Sequence, residues 1–100
     1  MAASRLRNAK SVDPANSHPI ADAAPSDEHV TDYDRVHFKV YLRMLDAAKE
    51  GAAWEEVSSI LLGIDPLREP VRAKHAYETH LARARWLANE GYKDLLAGPA

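Results

Sequence analysis

The chain has 100 residues, with 13 basic and 15 acidic side chains, five His, no Cys and a formal net charge of -2. That length allows one domain. Without Cys there are no disulfide staples, thiolate nucleophiles or Cys-based zinc sites, and the near-neutral balance gives no overall basic field.

No apolar run approaches the roughly 18 residues of a membrane span. The start, MAASRLRNAKSVDPANSHPI, has basic residues but no apolar stretch behind them. No secretory signal is expected, and the protein reads as cytoplasmic. Of the apolar residues, 18 are Ala. Of the 28 larger ones, only Met1, Leu6, Val12, Ile20 and Val30 precede Tyr33. A segment that poor in large side chains cannot offset its ordering entropy. Residues 1–31 are therefore expected to be a disordered tail, and residues 32–97 a single helical domain. Charge divides the same way: +3 over residues 1–12, -5 over 13–32 and 0 over 33–97.

The first helix is expected from about Tyr33 to Glu50. Thr31 or Asp32 can cap it, and Gly51 supplies a left-handed stop. Arg35, Lys39, Arg43, Asp46 and Glu50 gather in one arc, and apolar residues fill most of the rest. So wide an apolar sector suits a central helix packed by two neighbours. It also suits a helix that offers Phe38, Leu42 and Leu45 to a partner protein.

A short second helix, about Ala53 to Leu62, should bury Trp54, Val57, Ile60 and Leu61 and end at Gly63. The connector GIDPLREP is stiffened by two prolines; Asp65 can cap a single turn at Pro66–Arg68. A long third helix runs from about Pro70 to Asn89, with Gly91 as its stop. Its inward face holds Ala73, Ala76, Tyr77, His80, Leu81, Ala84, Leu87 and Ala88. The opposite face shows Arg72, His75, Thr79, Arg83 and Trp86. A last short helix, Tyr92 to Leu96, should fold back over the core. No strand signal is present.

No catalytic, cofactor or metal site is expected. His75 and His80 are five apart and diverge on a helix, and no HExxH pattern exists. His80 fits the edge of the core, hydrogen-bonded to a neighbour; His37 is expected to be exposed. Ser58 and Ser59 have no glycine elbow. There is no Gly-rich phosphate loop, and a helical domain this small rarely holds a deep pocket. The chain reads as a binding protein, with no small-molecule substrate.

Short helix, glycine-initiated turn and longer helix are the order of a helix-turn-helix. Its second helix would present Arg68, Val71, Arg72, Lys74, His75 and Arg83 to DNA, Arg to guanine edges and Lys or His to phosphates. The same residues also read as a solvated face with local pairs such as Lys74–Glu78. Trp86 is either covered by the Tyr92–Leu96 segment or an interface anchor.

The run YLRMLDAAKEGAAWEEVSSILLG and the run VRAKHAYETHLARARWLANEGYKDLL carry a family resemblance. The telling stretches are Gly51–Val57, His80–Leu87 and Gly91–Leu96. They resemble a proteobacterial mobile-element family long labelled a domain of unknown function. The resemblance spans about residues 32–97 and implies a helix-turn-helix variant with an extended turn, in keeping with GIDPLREP. It departs at Ala53, where related sequences tend to carry a capping Ser or Thr. Some members are DNA-binding activators. Others are standalone antiactivators of the QseM type, which block transfer genes of integrative and conjugative elements under quorum-sensing control.

The neutral charge and the apolar-poor first 32 residues resemble the antiactivators more closely. The expected partner is then a transcriptional activator of the same mobile element, met through Phe38, Leu42, Leu45 and Trp86. The alternative is a DNA-binding regulator using Arg68, Arg72, Lys74, His75 and Arg83.

Overall fold

The computed structural model describes residues 19–91 and 93. These residues are all-helical apart from an irregular first segment and the loops. Helix α1 spans Asp32–Val36 and α2 spans Phe38–Lys49. Helix α3, Trp54–Val57, runs straight into a wider π-type turn at Ser58–Leu62. Helix α4, Pro70–Trp86, ends in a second such turn at Leu87–Gly91.

Thr31 opens α1 with a reciprocal cap: its Oγ1 accepts from the Asp34 N–H, and Asp34 Oδ2 accepts from the Thr31 N–H at 2.9 Å. The expected single first helix is broken at His37, whose backbone (φ -102°, ψ 17°) lies outside helical values. No Pro or Gly marks the break. His37 is buried rather than exposed, its ring 4.3 Å from that of Tyr33. The bend turns Tyr33 and Asp34 toward α4, where both find partners.

Gly51 (φ 77°) and Gly63 (φ 71°) stop α2 and the α3 segment in the left-handed region, where an L side chain would be strained. Ala53 offers α3 no side-chain cap, but Glu55 and Glu56 sit in its first turn, where the helix dipole favours acids. The π-type turn adds a residue to the helical repeat and so shifts the buried stripe. Ser58 and Leu62 join Val57 and Leu61 inside, while Trp54 and Ile60 are half-buried. The Ser58 hydroxyl donates to the Ala73 carbonyl at 2.7 Å and ties α3 to α4. In the connector, Asp65 Oδ1 accepts from the Leu67 N–H at 2.9 Å, and the Asp65 carbonyl from the Glu69 N–H, closing one turn.

The core lies where α2, α3 and α4 meet, around Val40, Met44, Val57, Leu61, Ile64 and Leu81. Ala73 and Ala76 on α4 are fully buried, and their small side chains let the helices approach closely. A second cluster, Tyr41, Ala84 and Leu87, continues it along α4. Ala88, expected inside, is exposed.

Residues 19–31, which composition places in a tail, form a strap along α1 and α4. Ile20 packs on the core, the Ala24 N–H donates to Thr79 Oγ1 at 3.1 Å, and the Ala21 N–H to Tyr33 Oη at 3.0 Å. These anchors are largely backbone groups, to which apolar content is blind. Of the expected Tyr92–Leu96 helix, all but Lys93 lies outside the described residues. Among the described residues, no helix is long and apolar enough to cross a membrane.

Candidate nucleic-acid interface

Helix α4 divides into three faces. Ala73, Ala76, His80, Ala84 and Leu87 point into the core. Arg72, Thr79, Arg83 and Trp86 meet the strap. Val71, Lys74, His75, Glu78, Ala82 and Arg85 remain open and exposed, as helical periodicity requires of positions three and four apart.

On the strap face, Arg83 is the central group. It is 5% exposed, and its Nη2 lies 2.7 Å from Asp34 Oδ2. It also donates to the carbonyls of Asp27 and His29, and its guanidinium lies 4.1 Å from the Trp86 ring centroid. Asp34 additionally accepts from Tyr41 Oη at 2.9 Å. Burial alone would raise the Asp34 carboxyl. The hydrogen bonds from Arg83, the Thr31 backbone and Tyr41 outweigh it and hold the group below the usual carboxylate range. Burial, and then the Asp34 acceptor, push the Tyr41 phenol up.

Next to this pair, His80 is fully buried. Its Nδ1 faces the Ala76 carbonyl at 2.7 Å and must donate to it. Its Nε2 is then free to accept from Tyr33 Oη at 2.6 Å, and Tyr33 in turn accepts from the Ala21 N–H. The neutral ring satisfies every member of this chain. Burial lowers the His80 pKa, the Ala76 hydrogen bond opposes that, and the nearby His37 adds to it.

The five residues expected to meet DNA therefore separate. Arg68, Lys74 and His75 are exposed around the start of α4. Arg72 is exposed too, but Asp22 holds its Nε at 2.7 Å and Glu69 its Nη1 at 2.9 Å. Both pairs, Asp22 first, raise its pKa. Arg83 is a correction: it is buried in structural pairs and presents no charge to a ligand. Its position opposite the apolar face of α4 made it look free, because the sequence gives no sign of the strap. Arg85, absent from the expected set, is exposed on the open face.

The open face begins in a shallow hollow lined by Trp54, Pro70, Val71, Lys74, His75 and Glu78. Lys74 Nζ lies 5.9 Å from the Trp54 ring centroid. Leu67 and Val71, 92% and 82% exposed, stand beside these groups.

The residues expected to meet a partner protein also divide. Phe38 and Leu42 are 42% and 51% exposed and lie one turn apart on α2. Leu45 packs between the two core clusters. Trp86 is half-buried between Arg83 and the strap. Whether residues 92–96 cover it lies outside the described residues. Among the described residues, no three His, Cys, Asp or Glu side chains cluster as metal ligands would.

A short helix, a glycine-started connector and a long helix with one open face make this a helix-turn-helix-like regulatory domain. The family described as "T6SS, Transcription factor, DNA binding domain" matches residues 1–97, and the chain belongs to it. It is a family of DNA-binding regulator domains, and the match does not carry the antiactivator detail of the sequence resemblance. No curated protein matches the chain.

Proposed function

We propose that this protein is a DNA-binding transcription regulator domain, not an enzyme, which inserts the open face of α4 into the major groove. Membership of a transcription-factor DNA-binding family is the observation that carries this reading. The geometry supports it. The start of α4 is exposed, with Arg68, Lys74 and His75 able to reach phosphates or base edges, and Arg85 stands on the same face in the last turn. α3 and the core brace its other side. This reverses the order of the two expected functions.

A gel shift or anisotropy titration at low salt, with promoter fragments from the protein's own genome, tests it. Binding that weakens as salt rises supports the reading, and Lys74→Ala should reduce the salt slope by about 1. No binding at micromolar protein in low salt would end it.

A second reading is an antiactivator that docks on an activator protein, and the exposed Phe38 and Leu42, one turn apart on α2, favour it. Its check is a binding titration against activators encoded on the same mobile element, with Phe38→Ser expected to weaken the complex.

A further inference from the structure

Leu67 and Val71 are the two most water-exposed large apolar side chains among the described residues. They lie four positions apart, one in the connector turn and the other in the first turn of α4. Neither supports the core, and Val is not a residue that an exposed helix start favours on propensity. Their surroundings are mixed: Arg68, Glu69 and Pro70 lie between them in sequence, Val71 shares a hollow with Trp54, Lys74 and His75, and Arg85 stands further along the open face. Glu78 is the acidic member of that face.

A face that alternates apolar, cationic and acidic groups is a poor match for a lipid surface, which would want continuous apolar cover. It suits the major groove, where phosphates flank base edges that present acceptors, donors and the thymine 5-methyl group.

We infer that Val71 and Leu67 are specificity-determining residues, packing on thymine methyl groups in the major groove while Arg68, Lys74 and Arg85 hold the backbone. This rests on the DNA-binding reading and adds to it the chemical feature that is read. The cations supply affinity common to all sequences, and the apolar pair supplies a preference for thymine at one or two defined steps.

The test begins with selection of the full-length protein's preferred sites from a random duplex DNA pool at low salt. Each thymine of an enriched duplex is then replaced singly by uracil, which removes only the methyl group. Wild-type protein should lose about fourfold in affinity at one or two positions, the worth of one buried methyl. Val71→Ala should lose nothing further at one of them, and Leu67→Ala nothing further at a neighbouring one. Both side chains are solvent-facing, so both variants should keep the wild-type circular dichroism spectrum and melting temperature. Uracil that weakens wild type and Val71→Ala equally, or weakens neither, overturns the inference while leaving DNA binding intact; the apolar pair then faces a protein. A pool with no enrichment and no salt-dependent binding overturns the DNA reading itself.

Discussion

Asp34 and Arg83 are 49 residues apart in sequence and form a pair with side chains 1% and 4% exposed. Buried charges are costly unless every partner is present, and here both groups are saturated with hydrogen bonds. Removing one strands the other. Arg83→Ala should therefore cost about 3–5 kcal/mol of stability, a large share of what a domain this small holds. Thermal unfolding by circular dichroism would show it as a loss of ten or more degrees. The same residues set the acid response. The Asp34 pKa is depressed by folding, so its contribution is present above the unfolded carboxylate value of about 4 and lost as pH falls through the folded value. The His80 pKa is also depressed, so the unfolded chain takes up the proton first and stability declines as pH falls below about 6.5. The melting temperature should drop in two stages on acidification, and His80→Gln should remove the upper one.

At the scale of elements, much of the fold was legible in the sequence. The helix order, the stops at Gly51 and Gly63, the Asp65 turn and most of the inward face of α4 follow from capping chemistry and periodicity. The break at His37 was not legible, because long-range partners of Tyr33 and Asp34 impose it and no local breaker does. Nor were the two π-type turns, which are packing adjustments. Gly91 reads as a helix stop in sequence, but its reason is steric. A Cβ there would lie 2.6 Å from the Trp86 ring and 2.7 Å from Leu87 Cδ2. Gly91→Ala should cost about 1–3 kcal/mol through overpacking, measurable by urea denaturation with an unchanged m-value. The strap escaped the reading for a related reason, since backbone hydrogen bonds to Thr79 and Arg83 leave no compositional trace. Part of the candidate site was lost with it: Arg83 was counted among free cations, and Arg72 gave no sign of its tie to Asp22. Asp22→Asn should loosen Arg72, which Glu69 still holds, and remove a negative charge beside it. Low-salt DNA affinity should rise by about two- to fivefold, the scale of one exposed ion pair, as read by fluorescence anisotropy.

For the whole molecule, the zero balance of residues 33–97 limits how DNA can be held. Among the described residues, Arg68, Lys74 and Arg85 stand near the open face, with Arg72 beside them in its ion pairs. Counterion release then predicts a log–log salt slope of about -3 to -4, shallow for a transcription factor, over a titration from low to physiological salt. A slope near zero would mean that phosphates are not contacted. With so small an electrostatic share, affinity for a site rests more heavily on base contacts.

The strap also has a direction. Asp22 meets Arg72 near the first turn of α4, Ala24 meets Thr79 in the middle, and the Asp27 and His29 carbonyls meet Arg83 further along. The described strap therefore begins beside the first turn of α4, and its last carbonyl anchors lie toward the other end of a helix some 25 Å long. On the DNA-binding reading, the described strap starts at the end of α4 that carries Val71 and Lys74, and Gly91 closes the helix at the opposite end.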